Sequence, residues 1–298
     1  MKSFTTLSNY ASSLSQNKNT VNVALINQMI NDAHRYLLQK YFFNERSTTI
    51  TTVSQQQGYP LPFNYSKLKT GTLTIGNLRW NPTEILSREE WDDLNVFPYY
   101  SDIPNNFFIY DGKFNLWPIP STTGNVIAFN YQIRVPDLSI SDYSTGTVAV
   151  SNGSKIVTGT ATSWLATYLS VAGSVKNLNL WIKFSSPGGD SNWYQIDTVD
   201  SAVQLTLLNN YEGGSATGVT YAIGQMPLLL EDFHDLPAYR ALMIYFSTIN
   251  KNPVAAKQFT DLYNEGIEQL DTYAGSKALQ VDLSMQAQVL NPNLFWQG

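Results

Sequence analysis

Residues 107–117 read Phe107-Phe108-Ile109-Tyr110-Asp111-Gly112-Lys113-Phe114-Asn115-Leu116-Trp117. Two apolar runs flank an Asp-Gly pair, which suits a two-residue hairpin turn because both central positions need positive φ. Pro118 and Pro120 end the second strand, since proline has no N–H to give a ladder. Val126 to Arg134 supplies a third strand, so these strands predict a small antiparallel sheet, and Pro136-Asp137-Leu138 closes the segment.

Upstream, from Thr48 to Trp80, the period is also strand-like: Ile50-Thr51-Thr52-Val53 and Leu73-Thr74-Ile75 are β-branched and alternating. Gly58-Tyr59-Pro60-Leu61-Pro62 reads as loop between them. Ser87-Arg88-Glu89-Glu90 is a capping box that opens a short helix carrying Trp91 and Leu94. Its charges are cap chemistry and a solvated face. Further back, Val23, Ile26, Ile30, Ala33, Leu37 and Tyr41 recur every three or four residues, giving one face of a helix from Val21 to Phe43 with Thr20 as N-cap. A shorter helix, Leu7 to Leu14, precedes it.

Downstream, residues 144–225 change character. Seven charged residues are scattered there, and short strands are punctuated by Asn152-Gly153, Pro187-Gly188-Gly189-Asp190 and Glu212-Gly213-Gly214. Strands are predicted over Thr147–Ser151, Lys155–Gly159, Leu180–Phe184, Trp193–Val199, Val203–Leu208 and Val219–Ile223. Such spacing predicts an inserted all-β sandwich or barrel. Helix then returns: Pro237 is a first-turn residue, and Asn252-Pro253 starts a second helix that runs toward Gly275 as its C-terminal cap. The link between the two is short enough to require an antiparallel pair. The expected architecture is α+β. A helical body with the small sheet comes from residues 1–143 and 226–275, the β module from 144–225, and an extended tail from 276–298. The tail, ending in Leu294-Phe295-Trp296, is either tucked onto its own body or offered to a partner.

Composition narrows the function. Hydrophobic residues make up 43% and charged residues only 14%, so the surface is not that of a charge-rich soluble monomer and suits a protein committed to neighbours. A net charge of −5 lacks the basic stripe of a nucleic-acid reader. With no Cys there are no disulfides, zinc–thiolate sites or thiol nucleophiles. The first residues, Met1-Lys2-Ser3-Phe4-Thr5-Thr6, lack a signal peptide's apolar core, and no apolar run is long enough for a membrane span.

The chemistry of individual residues is weak. His34 and His234 lie in no catalytic motif, and no G-x-S-x-G elbow occurs. His34 reads as a partly exposed helix residue, and His234, between Asp232 and Asp235, as part of an acidic helix start rather than a metal site. Gly213-Gly214-Ser215-Ala216-Thr217-Gly218 lacks the lysine of a phosphate-binding loop. Asn152-Gly153-Ser154 reads as a turn. No catalytic residue, cofactor or metal is expected. Two carboxylates of the glycosidase type stay open, and Trp164, Trp181, Trp193 and Tyr194 could either pack a core or stack on sugars. A carbohydrate-binding or glycan-hydrolysing tail protein is therefore the alternative reading.

Two motif sets carry a resemblance. The helix with Trp91, the run Leu116-Trp117-Pro118-Ile119-Pro120, Tyr131, and then Leu236-Pro237-Ala238-Tyr239-Arg240-Ala241-Leu242 with a long Tyr-containing helix resemble the head-to-tail adaptor (connector) proteins of short-tailed bacteriophages. Asn152-Gly153-Ser154, Val157-Thr158-Gly159-Thr160-Ala161-Thr162-Ser163-Trp164 and Tyr194-Gln195-Ile196-Asp197-Thr198-Val199 resemble a small β domain of phage neck and fibre proteins, which usually has Gly in place of Ala161. The resemblance implies a non-enzymatic virion protein, assembled in the host cytoplasm into a twelve-fold homo-oligomeric ring beneath the portal protein. It implies a ring that extends the channel for double-stranded DNA and carries tail nozzle or fibre proteins. Twelve copies at −5 carry about −60, a charge that lets DNA slide without being held. Val281, Leu283, Leu294, Phe295 and Trp296 are the expected portal or subunit interface.

Overall fold

The computed structural model describes residues 1–15, 20–41, 44–75, 78–168, 172–175 and 178–289. The architecture is α+β with an all-β module, and the chain divides into two compact units. Unit 1 comprises Met1–Tyr41 and Pro136–Gly298; unit 2 comprises Phe42–Val135.

Unit 1 begins with α1 (Phe4–Leu14) and α2 (Thr20–Tyr41). α1 starts earlier than its apolar spacing suggests because Ser3 caps it, its hydroxyl accepting the Thr6 N–H at 3.2 Å. Along α2, Ile26, Ile30, Ala33 and Leu37 are buried as the period requires.

Unit 2 holds β1 (Glu45–Thr51), β2 (Gly58–Pro60), β3 (Tyr65–Ile75), β4 (Leu78–Trp80) and β5 (Thr83–Glu84). It continues with α3 (Arg88–Leu94), β6 (Tyr100–Ser101), β7 (Asn106–Tyr110), β8 (Lys113–Trp117), β9 (Ile119–Pro120) and β10 (Val126–Ile133). The hairpin β7–β8 turns at Asp111 and Gly112, with φ of 51° and 66°. Its two faces enter different cores. Phe107, Phe114 and Leu116 pack with Tyr59 and Ile127, and the Phe107 and Phe114 rings stack at 4.7 Å. On the other face Phe108 stacks on Trp91 of α3 at 5.4 Å. The expected single sheet is in fact two, ordered β1-β10-β3-β4 and β2-β8-β7-β5. β10 alternates buried Ile127, Phe129, Tyr131 and Ile133 with exposed or half-buried neighbours, and pairs with β1 and β3 rather than with the hairpin. Gly58–Pro60, read as loop, is an edge strand on β8, the position where a proline costs no ladder bond.

The rest of unit 1 carries β11 (Thr147–Val150), β12 (Ile156–Thr160), α4 (Trp164–Tyr168), β13 (Gly173–Ser174) and β14 (Leu180–Phe184). Then come β15 (Trp193–Val199), β16 (Gln204–Leu207), β17 (Ala216–Val219), β18 (Tyr221–Gln225), α5 (Leu236–Thr248) and α6 (Pro253–Val289). The module sheet runs β17-β11-β12-β16-β15-β14-β18. Since β17 and β18 are consecutive in the chain, its two ends meet and the sheet curls round one core of residues such as Val157, Trp164, Ile182 and Leu205. Ala161 has φ of 57°, the left-handed conformation for which the resembled motif uses glycine, and it turns the chain so that Trp164 is fully buried.

α5 and α6 are antiparallel: Leu236 lies against Gly266, Arg240 reaches the Tyr263 hydroxyl at 3.3 Å, and Phe246 stacks on Phe259 at 5.7 Å. Together with α1 and α2 they share a core of Phe4, Leu7, Ile30, Ala241, Tyr245 and Phe259. Gly275 does not cap α6. The helix runs through it to Val289, because one glycine costs only about 1 kcal/mol and no proline intervenes before Pro292.

Candidate interaction surfaces

Both segments that connect the helices to the β module are stitched by buried and half-buried polar groups. Asn31 of α2 accepts the Leu138 N–H at 2.7 Å and donates to the Leu138 carbonyl at 3.0 Å. The fully buried Gln225 accepts the Ser139 and Ile140 N–H groups at 2.8 and 2.9 Å and donates to the Asp137 carbonyl at 3.0 Å. Ser3 donates to Asp142 at 2.8 Å. Tyr143 and Ile223 exchange backbone hydrogen bonds, so the chain enters and leaves the module at adjacent positions.

The histidines belong to this stitching. His34 is wholly buried rather than partly exposed, because the segment leaving the module covers its side of α2. Its Nε2 accepts the Leu228 N–H at 3.0 Å, which makes the imidazole neutral with the proton on Nδ1. Burial, reinforced by His234 and Arg35, lowers its pKa to about 3. His234 is buried as well, its Nε2 on the Leu229 carbonyl at 3.1 Å and its Nδ1 against the Lys2 backbone, and burial lowers its pKa too. Two nearby acids are occupied: Asp235 pairs with Lys2 at 2.6 Å and Glu231 with the Met1 amino group. Among the described residues no group of His, Asp and Glu could hold a metal ion, and no helix is long and apolar enough to cross a membrane.

A run of exposed apolar side chains lies on unit 2. Leu86, Val96, Phe97, Tyr99, Tyr100 and Ile103 are all exposed, Leu86 by 85% and Phe97 by 80%. The backbone that presents them is held in place. β6 pairs in parallel with β9, the Tyr99 ring leans on Trp117 at 6.0 Å, and the Ser121 hydroxyl donates to Asp102. That bond, with another from Thr122, holds the Asp102 carboxyl below its ordinary range. Apolar side chains held out on a fixed backbone are the mark of a surface that meets a partner. Sequence periodicity missed this run because it is aperiodic; its signal was the apolar cluster Val96 to Ile103, interrupted by Pro98 and followed by Pro104, with no strand or helix period.

The residues expected at the portal or subunit interface fall at the far end of the chain. Val281 and Leu283 lie in the last third of α6, which at 37 residues is about 55 Å long. Leu294, Phe295 and Trp296 lie outside the described residues. The two sets are not brought into one described site.

Compared with models of known families, residues 3–153 match the SU10 adaptor protein. The chain belongs to the SU10 adaptor protein family. It is thus a structural adaptor of a bacteriophage, and the matched half contains α1, α2, the whole of unit 2 and the first strand of the module. The exposed apolar run of this adaptor therefore lies inside the family's own segment, whereas β12–β18, α5 and α6 lie beyond it. No curated protein matches the chain.

Proposed function

We propose that the protein is the head-to-tail adaptor of a short-tailed phage, and that twelve copies form a ring beneath the portal. The ring extends the DNA channel and supports the tail nozzle or fibres. The observation that carries this reading is the exposed apolar run from Leu86 to Ile103 within the family-matched segment. Such side chains need cover, and a ring supplies it by burying each subunit's flanks against its neighbours. The low charge content fits the same picture, since charge is depleted from interface cores.

In this reading the end of α6 with Val281 and Leu283, followed by Leu294, Phe295 and Trp296, docks on the portal or a neighbouring subunit. The β module, 144–225, is an insertion facing outward toward fibres or the capsid. The test is the mass of the purified chain alone and mixed with its portal. A 33.4 kDa monomer that becomes a ring on the portal supports templated assembly. A monomer that ignores the portal under all salt conditions defeats the assignment. Truncation after Gly275 with portal binding intact defeats the placement of the docking tail.

A further inference from the structure

The outer face of β14 and β15 carries a pattern that the core does not need. Leu180, Ile182 and Phe184 alternate inward from β14, and Tyr194 and Ile196 from β15. The intervening positions place Trp181 and Lys183 beside Gln195 and Trp193, in direct cross-strand pairs Trp181↔Gln195 and Lys183↔Trp193. All four are half-buried. They line a cleft of about 630 Å³ together with Ser191, Asn192, Asn209, Asn210 and Glu212. That volume is in the roughly 300–1,000 Å³ range of small-molecule sites.

The floor is preorganised. Asn179, buried and left-handed at φ 50°, accepts the Trp181 indole N–H at 3.1 Å and the Gln195 amide at 3.2 Å, while its own amide donates to the Met226 carbonyl at 2.9 Å. Above it, the Trp193 indole N–H, the Asn209 and Asn210 side-chain amides and the Lys183 ammonium make no hydrogen bond or ion pair among the described residues. Two indoles with two unpaired amides and an unpaired ammonium beside them match a pyranose, which presents C–H groups on one face and hydroxyls at its edge. Lys183 and Glu212 offset one another, and Glu231 is already taken by the Met1 amino group, so the cleft has no net charge to attract a polyanion. A protein partner fits less well, because the large exposed hydrophobics of the described module are Ile156 and Val203, neither in the cleft.

We propose that this cleft is a binding site for neutral oligosaccharides, with Trp181 and Trp193 stacking on sugar rings and Lys183, Asn209 and Asn210 bonding to their hydroxyls. The site adds a glycan-binding activity to a structural adaptor and stands independently of ring assembly.

The test titrates the full chain with a panel of linear hexose and N-acetylhexosamine oligomers, read by tryptophan fluorescence and calorimetry. At least one member should quench the fluorescence and bind with Kd between about 10 μM and 1 mM. Trp193→Ala should weaken that binding at least tenfold (about one decade in Kd), and Asn210→Ala, at an exposed position that cannot upset the fold, several-fold. Both variants should melt like the parent. No binding by any oligomer at about 10 mM, or binding unchanged in Trp193→Ala and Asn210→Ala, overturns the proposal. So does capture of a tail protein through the same residues without a response to sugar.

Discussion

The buried neutral His34 makes the fold acid-sensitive in a way that can be isolated. Its pKa is about 3 in the folded state, against about 6.5 for a free imidazole. Because the folded value is depressed, the unfolded chain takes up the proton first. The stability from a neutral His34 is therefore fully present above about pH 6.5 and is lost progressively as pH falls toward 3. At pH 5 the loss from this residue is about 2 kcal/mol, from 1.36 kcal/mol per pH unit over about one and a half units. For a unit of this size that is a fall of roughly 4–8 °C in Tm. Other groups titrate over the same range, so the measurement is a double difference: the Tm of the parent and of His34→Gln at pH 7.5 and at pH 5. Glutamine places an oxygen near the Nε2 position, where it can accept the Leu228 N–H, and it does not titrate. The parent should lose several degrees more than the variant on acidification. Equal losses in the two proteins would refute the reasoning, because they would mean that His34 is not held neutral by its surroundings.

Gln225→Ala removes three hydrogen bonds at once and leaves two backbone N–H groups without their acceptor, so it should cost about 2–4 kcal/mol in denaturant unfolding; a loss below 1 kcal/mol (about one ordinary hydrogen bond) would show the stitching to be dispensable. Gly146 has φ of 84°, and a Cβ there would lie 2.4 Å from the Thr160 carbonyl oxygen, so Gly146→Ala should destabilise the chain by about 2–4 kcal/mol. Ala161→Gly should do the reverse by about 0.5–1 kcal/mol, and matching melts for the two variants would argue against that turn geometry. Replacing residues 144–222 by a two-residue turn between Tyr143 and Ile223, which are already antiparallel partners, should leave the helices folded by circular dichroism; loss of the helical signal would defeat the insertion reading. Val96→Ser with Phe97→Ser should weaken ring formation on the portal at least about tenfold with no change in Tm, and unaltered assembly would remove this run from the interface.

What was legible in the sequence was local. The Asp111-Gly112 turn, the Ser87 cap, the apolar stripe of α2 and the α5–α6 pair all rest on neighbours within a few positions, where turn chemistry and helical period decide. What was misread depended on distant chain. His34 looks half-solvated on a helix wheel, and only the chain some 194 residues later buries it. Gly58–Pro60 becomes a strand only because β8 offers an open edge, and β10 leaves the hairpin because β1 and β3 flank it. For the candidate site the limit was of another kind. Phe97 and Tyr99 carry no period, so nothing in their spacing separates a core loop from a presented surface, whereas Trp181 and Trp193 were visible as residues but not as one floor until their strands paired.

The family match ends at residue 153, yet the helices it includes are not complete within it. Phe4, Leu7, Ile26 and Ile30 are buried against Ala238, Ala241, Leu242, Tyr245 and Phe259, all contributed by chain that follows the β module. Four such side chains represent about 6–12 kcal/mol of burial, which is on the order of a whole domain's stability. α1 and α2 therefore require α5 and α6, and any chain that folds this way must bring its two ends together whatever lies between them. That requirement explains the polar stitching. If the segments on either side of the module drifted apart, the helical core would open. Gln225 fastens the leaving segment to the entering one, Asn31 fastens the entering one to α2, and His34 fastens the leaving one to α2. With both ends pinned beside each other, we propose that the sequence between Tyr143 and Ile223 can vary without opening the helical core, and that a cleft on the outer face of its sheet serves a partner of its own.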